Sequence, residues 1–233
     1  MESIKYRTEK ELLDTYMVVA KFYEDNKYRL YADILKKNVK DKNYNKNVKI
    51  DAYIVMINPG KCSPIKSEKI FNNDEEVEAK ADQTQLCVMR LMDNCNFQRV
   101  RILNLYDIVE PNLLKAIQAM KGKEGDEYCI FSNKVKLENY IEKDAVFILA
   151  WGVNKSKVLQ PFKEQANNLI KELGLQNRII KVCFDGDSKE RLQYRHLKPL
   201  KKSARIEIIK EIKKQYDNRN RITGEEEFIL DNK

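Results

Sequence analysis

The chain has 233 residues, 42% of them apolar, with only seven glycines and five prolines, so a full core is affordable and a fibrous or low-complexity chain is excluded. Lysine and arginine outnumber aspartate and glutamate 44 to 36, and the net charge of +8 points to a polyanionic partner, nucleic acid first, or to a merely lysine-rich surface. Five cysteines without a Cys-x-x-Cys pair, one histidine and a charged opening segment, MESIKYRTEKELLD, predict a reduced cytoplasmic protein with no zinc centre, no cofactor and no membrane span.

Along the chain, residues 7–36 read as a helix, because Leu12, Leu13, Tyr16, Met17, Ala20 and Tyr23 recur at three- and four-residue spacing. The stretch KKNVKDKNYNKNVK reads as a basic loop, either a solvated connector or an arm that touches phosphate. Four short apolar runs follow: AYIVMI (52–57), RVRILNL (99–105), AVFILAWG (145–152) and RIIKVCF (178–184). Three are nearly continuous, as expected for strands covered on both faces. Helical patterns lie between and after them, at roughly 75–95, 112–120 with 127–142, 154–173 and 201–216. Alternating strands and helices predict a three-layer α/β/α fold around a central four-stranded parallel sheet, preceded by a helical extension. The expected organisation is 1–48 for the extension and basic loop, 49–216 for the α/β/α domain and 217–233 for a polar tail.

In such folds ligands bind beyond the carboxyl ends of the strands, so the residues just after each run carry the functional interest. The first run ends in Asn58-Pro59-Gly60-Lys61. Proline cannot donate to a ladder and glycine accepts positive φ, so the chain turns sharply there. A turn is the commoner role of such a stretch; the sharper one is an active-site lip, with the Asn58 amide holding a water or a polar substrate edge. Neither a nucleoside-triphosphate loop nor a Gly-x-Gly-x-x-Gly fingerprint occurs. Asp82 and Thr84 fall within or just before a helix, and Asp82 is either local surface polarity or a carboxylate aimed at the site. Asn104 ends the second run, where a strand-end turn is commoner than a ligand group. Trp151 and Gly152 end the third; Trp151 either plugs the sheet or stacks on a base. His196 stands among Arg191, Arg195, Lys198, Lys201 and Lys202, which disfavour its charged form. A neutral imidazole there can donate to a developing anion, and the cations can grip phosphate.

Taken in order, MINPG, ILNL, VFILAWG and the His196-x-x-Pro199-Leu200 segment resemble the uracil-DNA glycosylase superfamily over roughly 52–202. In that superfamily a strand ends in Gly-x-Asn/Asp-Pro, a later one in Asn and another in Trp-Gly, and a His-Pro-Ser or His-Pro-Leu loop follows. The INPG form is similar to the mismatch-specific branch, whose Asn positions the attacking water. Two departures stand out: Met56 replaces the motif glycine, and Leu197 and Lys198 separate His196 from Pro199. No aromatic closely follows INPG to stack on an extruded base; Phe71 is a distant candidate. The chain also resembles an uncharacterised bacterial family with Asn-Pro-Ser, Asp-x-Thr, Asn-Leu, Ala-Trp-Gly and His-Pro-Leu motifs, matched here by Asn58-Pro59, Asp82-x-Thr84, Asn104-Leu105, Ala150-Trp151-Gly152 and His196 with Pro199-Leu200.

The glycosylase resemblance implies hydrolysis of a base–sugar bond in an extruded nucleotide, with no metal or cofactor. Asn58 would orient the water, Asn104 would read the base edge, and His196 would stabilise the leaving base. Asp82 would be a reserve carboxylate, and Pro59, Gly60, Trp151 and Gly152 would form the rim. Lys61, Arg195, Lys198, Lys201 and Lys202 would hold DNA phosphates. Two alternatives stay open: a non-catalytic nucleic-acid-binding module, and an enzyme of free nucleosides or nucleotides. The expectation makes one geometric demand, that Asn58, Asn104 and His196 converge on one cavity at the edge of a parallel sheet.

Overall fold

The computed structural model describes residues 3–37, 48–65, 76–142, 144–190 and 192–230. Residues 38–47 of the basic loop, Phe71 and Arg191 lie outside them. The four predicted runs are strands: β3 (Ala52–Met56), β6 (Arg99–Asn104), β7 (Val146–Leu149) and β8 (Ile179–Lys181). Their pairings, β6 with β3, β3 with β7 and β7 with β8, are all parallel. Residues alternate between two cores along each strand. Ala52, Ile54 and Met56 of β3 pack in one cluster with α2 (Gln83–Cys95) and α6 (Lys202–Leu230). Tyr53, Val55 and Ile57 pack in the other, with α3 (Leu113–Met120) and α5 (Leu159–Glu172). Burial on both faces is why these strands read as unbroken apolar runs.

The parallel strands are only half of the sheet. The fold is a mixed α/β architecture around eight strands in the order β4-β5-β1-β2-β6-β3-β7-β8. The helix expected over 7–36 is overturned. Only α1 (Glu9–Thr15) is helical there, started by a Thr8–Glu11 capping box. After it, β1 (Tyr16–Tyr23) and β2 (Tyr28–Lys36) form an antiparallel hairpin, and β2 pairs antiparallel with β6. The β-branched and aromatic side chains of YMVVAKFY favour a pleated surface over a helix. The hairpin turn takes left-handed backbone at Glu24, Asp25 and Asn26, which Asp and Asn tolerate without glycine. The helix expected at 75–95 also divides, into β5 (Glu76–Lys80) and α2; β5 pairs with β1 and with the two-residue β4 (Ser63–Pro64). Between 127 and 142 a 3-10 turn and the short α4 (Lys134–Glu138) replace a longer helix. α6 runs on through most of the stretch read as a polar tail.

One buried ion cluster ties the two halves together. Asp33 of β2, fully buried, accepts from Arg101 at 2.7 and 2.8 Å and from Arg99 at 3.0 Å, both on β6. From β3 the chain runs through β4 and β5 to β6, all on one side of β3, and later to β7 on the other. The carboxyl end of β3 is therefore the point where strand order reverses. Among the described residues no helix is long and apolar enough to cross a membrane.

Candidate functional site

A cleft of about 360 Å³ opens at that end of β3. Its walls come from Met56 to Gly60, from the start of α2 (Asp82, Thr84, Gln85), from Arg29 of β2, and from His196, Lys198 and Leu200. Segments nearly 140 positions apart in the sequence thus meet at one sheet edge, as the parallel strands require.

Asn58 is half-buried, and its Nδ2 donates to the carbonyls of Glu110 (2.7 Å) and Ile108 (3.4 Å). Those bonds fix the amide and occupy its donor, leaving Oδ1 as its remaining acceptor. Gly60 takes φ +70°, and a Cβ there would stand 3.5 Å from Asp82 Oδ2. Asp82 is the N-cap of α2: its Oδ1 accepts from the backbone N–H of Thr84 (2.7 Å) and Gln85 (3.0 Å). Gln85 reciprocates by accepting from the Asp82 N–H at 2.8 Å, completing a capping box. The carboxylate is thereby held by one oxygen while the other lies beside Gly60.

His196 accepts at Nδ1 from the Lys198 backbone N–H at 3.0 Å. The proton of the neutral ring must then sit on Nε2, so the imidazole presents a donor. Burial, and then the positive charge of Lys198, push its pKa down to about 4, with Asp82 pulling the other way. At neutral pH the ring is uncharged. Gly152, at φ +82°, lets the chain after β7 pass this histidine closely: a Cβ there would lie 3.7 Å from His196 Cβ, and Gly152 bridges to Tyr194.

The other expected residues fall in different places. Asn104 does not line the cleft. It is fully buried beneath it, where its amide, oriented to suit its neighbours, donates to the Asn58 carbonyl (3.2 Å) and accepts from Arg29 Nη2 (3.3 Å). Trp151 is also fully buried, donates from Nε1 to the Leu192 carbonyl at 2.6 Å and packs on Tyr194, so it plugs the sheet end. Arg195 is spent on an ion pair with Asp187 at 2.6 Å. Lys61, Lys201 and Lys202 are exposed and off the cleft walls, and Lys202 lies over the Tyr6 ring at 4.6 Å. Pro59, Gly60 and Lys198 do line it.

Two polar wall residues escaped the sequence reading, Arg29 and Gln85. Arg29 was hidden inside the false helix. Gln85 carried a legible signal, since Asp82 followed three residues later by Gln is the capping-box pattern. Among the described residues no three His, Cys, Asp or Glu side chains gather as a metal site would require.

An open α/β cleft at a strand-order reversal, walled by a carboxylate, a neutral imidazole and an anchored amide, is the place where ligands bind in folds of this architecture. The chain belongs to the family described as "Protein of unknown function (DUF1643)", whose model matches residues 34–196. That span contains Asn58, Asp82, Asn104, Trp151 and His196, in keeping with the resemblance to a family of unknown function; it carries no tie to the glycosylases. No match to the chain was found among curated proteins or among solved structures.

Proposed function

We propose that the cleft hydrolyses the base–sugar bond of a nucleotide in nucleic acid. The observation that carries this reading is the convergence of Asp82, Asn58 and His196 on one cavity from three distant segments. Asp82 Oδ2 takes a proton from water as the water oxygen bonds to the sugar carbon, and Asn58 Oδ1 accepts the water's other hydrogen. The carbon–nitrogen bond breaks with its electron pair moving to the base. The Nε2–H of His196 donates a hydrogen bond to the negative charge that builds there. With its pKa near 4, the neutral ring acts through that hydrogen bond and leaves the final proton of the base to solvent.

The net charge of +8 supports a nucleic-acid substrate, with Lys198 nearest the chemistry. A cleft of about 360 Å³ is the size of one extruded nucleoside, and this equally favours a second reading, a free nucleotide as substrate. The test is release of free base from a panel of normal and damaged oligonucleotides and mononucleotides. Asp82→Asn retains a good N-cap while removing the charge, so its fold should persist and its base release should fall ~10²-fold or more. Asn58→Ala should fall alongside it. A well-folded Asp82→Asn variant releasing base at the wild-type rate excludes the mechanism, and binding without any release leaves the chain a binding module.

A further inference from the structure

The floor of the same cleft holds a charge that makes no ion-pair contact among the described residues. Arg29 is 2% exposed, and a guanidinium stays protonated at any working pH. Its Nη1 donates to the Pro59 carbonyl at 3.3 Å and its Nη2 to the Asn104 amide oxygen at 3.3 Å, both neutral acceptors. Among the described residues no carboxylate stands within ion-pair distance of it. Asp107, whose backbone carbonyl accepts from the Arg29 N–H at 2.8 Å, is fully buried. Burial pushes its pKa up to about 8 against the pull of the Tyr23 hydroxyl and of the Lys136 and Arg29 charges, which weakens it as a counter-charge at neutral pH.

Two donors are also left over. Arg29 Nε and Gln85 Nε2 are both buried without an acceptor, and Gln85 is 2% exposed. Buried polar groups are nearly always satisfied, and a buried cation normally has a partner, so this pairing of deficits in one cleft marks a missing group. On the cleft walls the deficit is of donors without acceptors; Asp107 Oδ1, a buried acceptor also without a partner, lies off those walls. Lys198 adds to the positive charge. Asp82 is the one carboxylate on the walls, and its Oδ1 is engaged by the N–H groups of α2. Both orphan atoms are recessed, so the group that satisfies them is compact and rich in acceptor oxygens.

We infer that this floor binds a phosphate group of the nucleotide substrate, with Arg29 as its counter-charge and Gln85 as a neutral donor. This rests on the cleft being the substrate site, as proposed above, and names which part of the substrate the floor holds. It is a claim about binding and does not need the hydrolytic step.

Titration calorimetry with inorganic phosphate, a 5′-mononucleotide and the corresponding nucleoside tests it. Phosphate and the mononucleotide should bind, and the nucleoside should bind far more weakly. Arg29→Met should weaken the mononucleotide roughly tenfold to a hundredfold, the worth of a charged hydrogen bond. Gln85→Glu keeps an acceptor for the Asp82 N–H, and so keeps the helix cap, but sets a negative oxygen where the donor was. It should abolish phosphate binding even if Arg29→Met does not fold. Oligonucleotides with and without a 5′-phosphate separate the sources: preference for the phosphorylated strand assigns a strand end, and binding of the mononucleotide alone assigns a free nucleotide. No phosphate affinity in the wild-type chain, or unchanged affinity in Gln85→Glu, overturns the inference. Arg29-dependent phosphate binding without base release would sink the hydrolase and keep this site; base release without phosphate binding would do the reverse.

Discussion

His196 shows how a surrounding structure sets one residue's chemistry. An imidazole in water titrates near 6.5, where it would carry partial charge at neutral pH. Here burial and Lys198 lower it to about 4, and the Lys198 N–H selects the tautomer. The same shift makes stability depend on pH. The folded pKa lies below the unfolded one, so the unfolded chain binds more protons between pH 6.5 and 4, and stability declines as pH falls through that window. The loss should be ~2 kcal/mol by pH 4, allowing for the residue's partial exposure. Between pH 7 and 4 the urea midpoint of the wild-type chain should fall relative to that of His196→Gln, since the Asp107 contribution is common to both. Equal slopes in both would mean the ring is not depressed. Asp107 works in the opposite direction, because its folded pKa is raised: it favours the fold at low pH and loses that contribution as pH rises through about 8.

At the scale of elements, the functional geometry depends on how β2 lies against β6. Asp33 of β2 is fully buried against Arg99 and Arg101, and its removal would leave two neighbouring cations of β6 without their counter-charge. Asp33→Ala should cost about 3–5 kcal/mol in denaturant unfolding, the usual loss when one partner of a buried ion pair is removed. A loss under about 1 kcal/mol would show that the halves dock on apolar packing alone. Arg29 sits on the same β2, four positions before Asp33, so the variant should also loosen the floor of the cleft. The element boundaries explain what sequence could and could not show. Parallel strands β3, β6 and β7 were legible because double burial leaves continuous apolar runs. The β1–β2 hairpin was not, since Leu12, Tyr16, Ala20 and Tyr23 imitate helical spacing and the turn lacks the glycine that usually announces a hairpin.

For the molecule as a whole, the net charge of +8 bears on partners, not on fold. If nucleic acid is the substrate carrier, affinity should drop with salt, and the slope of log affinity against log salt should report how many phosphates are neutralised. Filter binding of single- and double-stranded oligonucleotides between 50 and 200 mM salt gives that slope, with a decline of roughly tenfold or more expected for even two contacts. A salt-independent affinity would restrict the chain to small ligands. Lys61, Lys201 and Lys202 are exposed and can contribute to such a field, whereas Arg195, already paired with Asp187, has little charge to spare.

The sequence by itself determined the parallel strands, the turn after β3, the neutral disposition of a lone histidine among cations, and the motifs that mark membership of a family. Each of these is local: apolar continuity, a proline beside a glycine, charges close in the chain. Only the tertiary structure decided that the N-terminal third builds half of the sheet, that Asn104 supports the cleft from below instead of facing it, and that Arg29 enters the cleft without a counter-ion. Those outcomes depend on which surfaces meet across the sheet, and burial and charge balance are properties of that meeting. No window of residues contains them.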